Sequence, residues 1–381
     1  MTVGFSCQIC SADGLEILEA YRGLPRVTSD SKPWPAGGEL SVCQACGAIQ
    51  KLPTDKWQRE AAAIYRNYEM YHLSRGAEQL VFADAGSARP RSERLVEFVL
   101  DKSSLPATGT LIDIGCGNGE ALGNFSRALP QWRLCGAELT DKVLPELRRL
   151  PNFENLYTTA PSQIAERFTL VSLIHSLEHM PVPLEALTDA AGLIEPGGML
   201  FVEVPDVETS PFDLLVADHL MHFSRASLGA MAARAGIAPT LLTNDLVPKE
   251  ITLLGARTAP GKADCDPERG LRLARSTVAW LRDVMTQIAA VAKNSQIGIF
   301  GTSVAGMAFY GAFRDRVGFF VDEDPARIGK FYDGKPVIAP NDAPGDIPVF
   351  MALPPERARN SAERLSTTGM RAVCPPPLSI A

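Results

Sequence analysis

The feature that most constrains the fold is an apolar stretch that runs into a glycine-rich turn and then into a helical stretch. Thr110–Ile114 is predicted to form a strand, residues 115–119 read GCGNG, and Glu120–Leu129 is predicted to form a helix. Glycines at such a turn let the backbone approach a ligand at the helix N-terminus. Glu138 stands 19 residues after the last glycine, at the end of a strand predicted over Trp132–Ala137. A carboxylate there can accept hydrogen bonds from both hydroxyls of a ribose, so the pattern predicts a nucleoside-bearing ligand.

Two acidic residues near the turn favour S-adenosylmethionine over NAD as that ligand. Glu120 takes the place of the third glycine in the GxGxxG dinucleotide pattern, where its carboxylate would repel a pyrophosphate. Asp113, two residues before Gly115, suits a cationic amino-acid ligand better than an anionic one. From the residues alone, NAD binding and a turn that binds no cofactor remain the alternatives.

Strands and helices continue to alternate after the turn. Strands are predicted over Phe168–Ile174 and Met199–Val204, with a helix over Pro183–Ile194 and a turn at residues 196–198 between them. This alternation predicts a Rossmann-like parallel sheet covered by helices on both faces.

A second, smaller Rossmann-like α/β unit is predicted after residue 257. It begins with a helix whose apolar residues recur at spacings of three and four, at Ala274, Val278, Leu281, Met285, Ile288 and Ala292. Three strands are predicted to follow, over Gln296–Phe300, Val317–Val321 and Ile347–Met351. We therefore expect three domains: a zinc-binding domain with a linker helix over 1–80, a cofactor-binding domain over 81–257 and this unit over 258–381.

Two CxxC pairs near the N-terminus predict a metal site. Cys7 and Cys10 are separated by 32 residues from Cys43 and Cys46, within a segment rich in loops. Four thiolates suit tetrahedral zinc, and Gly47 permits the tight turn that points amides at sulfur. Such a zinc is expected to be structural, since four protein ligands leave no open position; iron or a degenerate site is the alternative. The other four cysteines are scattered, which is typical of reduced thiols in the cytoplasm.

The charge balance argues against two classes of partner. The 381 residues carry a formal net charge of −7, whereas a nucleic-acid partner would require a basic face. No apolar run approaches the roughly 20 residues that span a bilayer, and the first residues show no signal-peptide pattern. We therefore expect a cytoplasmic protein with a small-molecule substrate.

Residues 110–204 resemble the core of class I methyltransferases, and residues 113–119 (DIGCGNG) resemble its first motif. The resemblance implies that Asp113 and the glycine turn hold the amino-acid end of adenosylmethionine. It also implies that Glu138 binds the ribose of the cofactor, with Leu139 beside it, and that His175 lines the cofactor pocket. The turn residues concerned are Gly115, Cys116, Gly117 and Gly119.

The whole chain resembles three-domain sugar C-methyltransferases, which combine a four-cysteine zinc domain, a methyltransferase core and a Rossmann-like domain in this order. Segments 218–224 (DHLMHFS), 297–306 (IGIFGTSVAG) and 319–325 (FFVDEDP) carry this likeness beyond the cysteines. It implies methylation of a carbon next to a ketone on a nucleotide-linked sugar. Asp218 replaces a glutamate of the family pattern, and His222 replaces an aromatic residue.

His179, His219 and His222 are three of five histidines, and each follows a predicted strand of the methyltransferase unit. Ligands bind beyond the carboxyl ends of such strands, so we expect at least one of these histidines to act as a general base. His219 is the first candidate, with His179 to share the proton transfer and Asp218 to bind a substrate hydroxyl. An ordinary structural role is the alternative for each.

Tyr65 and Tyr68 are spaced so that they share one face of a helix with either Tyr71 or His72. The resemblance implies that a tyrosine of this linker reaches the active site, so Tyr68 or Tyr71 is expected to hydrogen-bond the substrate. An aromatic seam between domains is the alternative.

Three functions remain open from the sequence. The first is C-methylation through an enolate, and the second is O-methylation of a saccharide or another small metabolite. The third is a binding module without catalytic activity. The glycine loop at 301–306 is expected to belong to a degenerate unit that covers the active site, with a second cofactor site as the alternative.

Overall fold

A computed structural model describes residues 4–68, 80–82, 88–262, 265–293 and 295–380. Three sheets of four, seven and six strands follow one another along the chain, with two small two-stranded ribbons. The N-terminal part forms β1 (Leu15–Ile17), β2 (Arg26–Val27), β3 (Pro33–Trp34), β4 (Leu40–Cys43), β5 (Ile49–Lys51) and α1 (Asp55–Arg66).

The central part alternates strands and helices, as predicted. Its elements are β6 (Leu80–Phe82), β7 (Ala88–Pro90), α2 (Arg91–Lys102), β8 (Thr110–Ile114), α3 (Glu120–Ala128), β9 (Arg133–Ala137), α4 (Leu144–Leu147), β10 (Phe153–Tyr157), β11 (Phe168–Ile174), α5 (Pro183–Gly192), β12 (Ile194–Pro205), β13 (Met221–His222), α6 (Arg225–Arg234), β14 (Ile237–Thr243) and β15 (Glu250–Arg257).

The seven-stranded sheet has the order β10-β9-β8-β11-β12-β15-β14. Its first five strands are parallel, and β15 runs antiparallel to both β12 and β14. The predicted Rossmann-like methyltransferase fold is confirmed. The carboxyl ends of β8, β9, β11 and β12 therefore meet at one edge, where such sheets bind ligands.

One predicted turn is part of a strand. Phe168 pairs with Ile194 and Leu170 pairs with Met199, so residues 195–198 oppose a single residue of β11 as a bulge within β12. Gly197 has a φ of +82°, which lets the chain make this excursion without leaving the sheet. The prediction of a separate strand that begins at Met199 is therefore corrected.

The four-stranded sheet has the order β1-β4-β5-β13 and is antiparallel. Its last strand is contributed by residues 221–222, more than a hundred residues after the other three. The cysteine-bearing segment and the central part of the chain therefore share one sheet, and this sharing places residues of β5 beside the candidate histidines.

The C-terminal part forms α7 (Pro267–Ala292), β16 (Ile297–Phe300), α8 (Val304–Phe313), β17 (Val317–Val321), β18 (Phe331–Tyr332), β19 (Lys335–Ile338), β20 (Pro348–Met351), α9 (Pro355–Arg364) and β21 (Arg371–Val373). Its six-stranded sheet has the order β18-β19-β17-β16-β20-β21. The predicted apolar stripe of α7 is mostly buried, in one core with residues of β4 and α8. Within the described ranges no helix is both long and apolar enough to span a bilayer.

Candidate active site

The glycine turn after β8 has a backbone that favours glycine. Gly115, Gly117 and Gly119 have φ angles of +77°, +51° and +81°, which residues with a Cβ rarely adopt. Space is also restricted, because a Cβ on Gly115 would lie 2.5 Å from the Cβ of Ser176. The turn therefore brings bare backbone to the N-terminus of α3, where a charged end of a ligand can approach closely.

Two carboxylates flank the turn. Asp113 is buried and accepts a hydrogen bond of 2.7 Å from the Ser172 hydroxyl, and burial raises its pKa to about 7. At the end of β9, Glu138 accepts hydrogen bonds from the N–H groups of Gly117 at 3.1 Å and Leu139 at 2.8 Å. These residues fit S-adenosylmethionine: a cationic group beside Asp113 would favour its ionised form, and Glu138 stands where ribose hydroxyls are bound.

A cavity of about 300 Å³ lies at this edge of the central sheet. The glycine turn forms one part of its wall, residues 29–31 of the N-terminal part another, and residues 302–305 of the C-terminal part a third. The expected site residues that line it are Tyr68, Asp113, Gly115, Cys116, Gly117, His175, His179 and His219. Gly119, Glu138 and Leu139 lie beside the lining, and Leu139 is 76% exposed.

The His219 ring is oriented by a buried carboxylate, Asp213. This residue lies in a short 3-10 helix over Pro211–Leu215, and its oxygens are 2.7 Å from Nδ1 of His219 and 2.6 Å from Nδ1 of His222. Burial disfavours the charged carboxylate, but the two imidazoles outweigh burial and hold the pKa of Asp213 well below its usual range. A carboxylate at Nδ1 selects the tautomer whose Nε2 can accept a proton.

His222 does not reach the cavity, so its predicted catalytic role is corrected. It is buried in β13, whose pairing with β5 brings its Nε2 within 3.2 Å of the Lys51 ammonium. Burial and the Lys51 charge lower the pKa of His222 to about 4, and the ring is therefore neutral at pH 7.

Lys51 is a buried cation behind the histidines. Its ammonium donates to the backbone carbonyls of Val216 and His219, the second at 3.1 Å. Burial lowers its pKa to about 7. These bonds fix the backbone that carries His219 to the end of β5.

Asp218 is fully buried and its oxygens are occupied by protein groups. It accepts hydrogen bonds from the Ser29 N–H at 2.9 Å and the Ser29 hydroxyl at 2.5 Å, and His179 Nδ1 lies 3.4 Å from its Oδ2. The expectation that Asp218 binds a substrate hydroxyl is therefore corrected. Asp218 therefore holds the 29–31 loop and orients His179, while His219 lines the cavity.

Aromatic rings surround His179. The His219 ring lies edge-on to it with centroids 4.6 Å apart, and the Tyr65 ring is 5.9 Å away. The Tyr68 ring centroid lies 6.2 Å from that of Tyr65, and Tyr68 lines the cavity. It is one of the two tyrosines expected to hydrogen-bond the substrate. Tyr71, the other, lies outside the described residues.

His175 is held between two carboxylates at the carboxyl end of β11. Its ring nitrogens lie 3.4 Å from Glu178 and 3.1 Å from Glu250, and its φ is +50°. Burial and the charge of Arg91 oppose protonation, but the carboxylates outweigh them and raise the pKa of His175 to about 9. A positively charged His175 therefore lines the cavity.

The four N-terminal cysteines converge. The sulfur atoms of Cys7, Cys10, Cys43 and Cys46 all lie within 4.8 Å of one another, with two Sγ–Sγ distances of 3.5 Å. The N–H groups of Ile9 and Ala45 point at Cys7 and Cys43 sulfurs at 3.3 and 3.4 Å. Zinc with Zn–S bonds of about 2.3 Å sets tetrahedral sulfurs about 3.8 Å apart, so this donor set fits the ion.

Three residues of the site were missed from the sequence: Ser29, Lys51 and Asp213. The one available signal was the spacing of Asp213 before His219 and His222, which places an acid within a short loop of two candidate bases. Ser29 and Lys51 reach the site only through the tertiary fold.

In the comparison with known proteins, residues 86–241 match the model of a family described as "Methyltransferase domain". The chain is 23% identical to the C-methyltransferase NovU of Streptomyces niveus, over 95% of this chain and 93% of that protein. It is 27% identical to a trans-aconitate 2-methyltransferase of Rhodopseudomonas palustris, over 37% of this chain and about half (54%) of the relative.

Among solved structures, CalO1, a methyltransferase in calicheamicin biosynthesis in its SAH-bound form, matches 44% of this chain and 54% of its own. The identity is 17% and the TM-score 0.37. The family match covers the glycine turn and the five parallel strands β8 to β12 of the central sheet. The chain is therefore an S-adenosylmethionine-dependent methyltransferase with a class I methyltransferase domain.

Proposed function

We propose that the enzyme methylates a carbon next to a ketone on a nucleotide-linked sugar. The observation that carries the proposal is the Asp213–His219 pair, which presents an oriented imidazole in the same cavity as the glycine turn. The full-length likeness to NovU, a protein named as a C-methyltransferase, supports carbon as the acceptor.

The residues suggest how the acceptor carbon is activated. Bound adenosylmethionine supplies an electrophilic methyl group. A carbon acceptor must first lose the proton that its neighbouring carbonyl acidifies, and Nε2 of His219 takes that proton. The ionised carboxylate of Asp213, which contacts Nδ1 of His219, stabilises the imidazolium that results. The substrate is left as an enolate, and His179 stands edge-on to His219 to receive or return the proton.

The proposal is tested by supplying a panel of nucleotide-linked keto sugars and measuring adenosylhomocysteine by mass spectrometry. Stoichiometric formation with at least one sugar is expected. Formation only with acceptors that offer a hydroxyl would favour O-methylation of a saccharide or small metabolite. No formation with any acceptor would favour a binding module without catalytic activity.

We also propose three domains, over 1–80, 81–257 and 258–381, with the third covering the active site. Residues 302–305 of the C-terminal part support this role, because they line the cavity that holds the histidines. Reduced thiols at the four-cysteine cluster suit the cytoplasm, where we place the protein.

We expect one zinc per chain, bound by Cys7, Cys10, Cys43 and Cys46, because a small loop-rich segment gains its stability from such a cross-link. Metal analysis of the purified protein checks this expectation. Cys46→Ser is expected to lose the zinc, whereas the control Cys374→Ser, outside the cluster, keeps it. Iron in place of zinc, or less than about half an equivalent of either, contradicts the assignment.

Glu138→Ala is expected to weaken adenosylmethionine binding by about 1.5–3 kcal/mol, as for the loss of charge-assisted hydrogen bonds. The carboxylate also holds the Gly117 and Leu139 N–H groups, so its removal loosens the turn as well. Calorimetry on both proteins measures the difference, and Glu154→Ala, at an exposed surface ion pair, is the control. Unchanged affinity, or tighter binding of NAD than of adenosylhomocysteine by the wild type, rejects this pocket.

A further inference from the structure

Lys249 occupies an unusual position in the wall of the cavity. Its φ is +75°, in the left-handed region that favours glycine, and it immediately precedes β15. Strained backbone of this kind is found disproportionately at ligand sites. A lysine at a position that favours glycine indicates that its side chain has a function.

Other cations surround the Lys249 ammonium. Among the residues that the structure describes, no hydrogen-bond acceptor or carboxylate pairs with it. Arg91 and Arg327 line the same cavity, and Arg357 is close enough for its charge to act on Lys249. Burial and these like charges lower the pKa of Lys249, although the Glu250 carboxylate partly opposes them. A largely enclosed cation with more positive than negative charge around it is unfavourable, and an anionic ligand would relieve it.

Arg327 is fixed beside this lysine by the C-terminal part of the chain. Its Nη1 donates to the Thr302 hydroxyl at 3.0 Å and lies 3.4 Å from Asp322, which also accepts a 2.7 Å hydrogen bond from Thr302. These contacts anchor the guanidinium where Ser303 and Val304, at the start of α8, line the cavity. Cations from the central and C-terminal parts of the chain therefore line one cavity.

We propose that Lys249, Arg91 and Arg327 bind a diphosphate, the linking group of the nucleotide-linked substrate. The proposal rests on the proposed function, because it takes the diphosphate to be part of the nucleotide-linked substrate. A diphosphate carries more than one negative charge and therefore balances several cations better than the single charge of the cofactor carboxylate. The C-terminal unit then contributes to substrate binding through Arg327, in addition to covering the cavity.

The test titrates the adenosylhomocysteine-saturated enzyme with inorganic pyrophosphate by calorimetry. The variant is Lys249→Gly, which relaxes the backbone and is expected to fold at least as well as the wild type. Pyrophosphate affinity should fall by about 10- to 100-fold, the value of a charge-assisted bond. Lys249→Arg should keep most of the affinity, and Lys293→Ala, at an exposed lysine after the end of α7, serves as the control.

Four outcomes would overturn the proposal. One is no pyrophosphate binding by the wild type, and another is equal binding by Lys249→Gly. The third is a loss of adenosylhomocysteine affinity in Lys249→Gly with pyrophosphate binding unchanged, which assigns the cluster to the cofactor carboxylate. The fourth is methyl transfer to keto sugars that lack a diphosphate with the same KM as for nucleotide-linked ones, which rejects the subsite and the nucleotide-linked substrate but leaves C-methylation intact. Pyrophosphate binding that depends on Lys249 in a protein that transfers no methyl supports the subsite and rejects the function.

Discussion

His219→Asn is expected to reduce turnover by about 10²–10⁴-fold, the usual contribution of a general base. The wild-type enzyme with adenosylhomocysteine, in heavy water, should exchange the proton on the substrate carbon next to the ketone. The variant should not, because an amide cannot accept that proton. Nuclear magnetic resonance of the substrate signal measures the exchange directly.

His179→Asn is the matched control for this experiment. The two rings share the cavity, and His179 is also oriented by a carboxylate, Asp218. Adenosylhomocysteine affinity measured on both variants shows that the fold and the cofactor site are intact. Exchange that survives in His219→Asn and vanishes in His179→Asn would assign the base to His179.

Asp213→Asn is expected to lower kcat by about 10²–10⁴-fold while adenosylhomocysteine affinity stays unchanged. Asp213 positions His219 by its contact of 2.7 Å with Nδ1. An asparagine is neutral and cannot stabilise the imidazolium formed after proton transfer. Nitrogen NMR of the His219 ring should show that the Nδ1–H tautomer is no longer dominant.

Asp206→Asn is the control for Asp213→Asn, because Asp206 is a buried aspartate whose hydrogen bonds come from groups other than histidine. Asp206 accepts hydrogen bonds from Glu208 N–H, the Thr209 hydroxyl and Asn244, and it is fully buried. This variant should lose stability with little change in kcat. Equal losses of kcat in the two variants, or an unchanged His219 tautomer in Asp213→Asn, would reduce Asp213 to a structural residue.

The parts of the site that the sequence predicts are those set by local structure. The strands Thr110–Ile114 and Phe168–Ile174 have the predicted bounds, because apolar runs that end in a glycine turn or a loop leave little choice. Asp113 and Glu138 follow from the same reasoning, since each occupies a defined place at a strand end.

The remaining residues depend on tertiary pairing, which a single sequence does not encode locally. Lys51 reaches His222 only because β5 and β13 become neighbours in one sheet. Asp218 and His219 were both expected to meet substrate, but they lie in a bend between a 3-10 helix and β13, where the sequence does not determine side-chain directions. His219 faces the cavity and Asp218 turns to Ser29.

The position of the transferred methyl group tests the central claim most directly. The enzyme is incubated with adenosylmethionine labelled with carbon-13 in the methyl group and with the panel of nucleotide-linked keto sugars. Correlation spectroscopy of the product then shows which atom carries the label. We predict a methyl bonded to the ring carbon next to the carbonyl. A label on oxygen, or no labelled product from any sugar of the panel, would contradict C-methylation through an enolate.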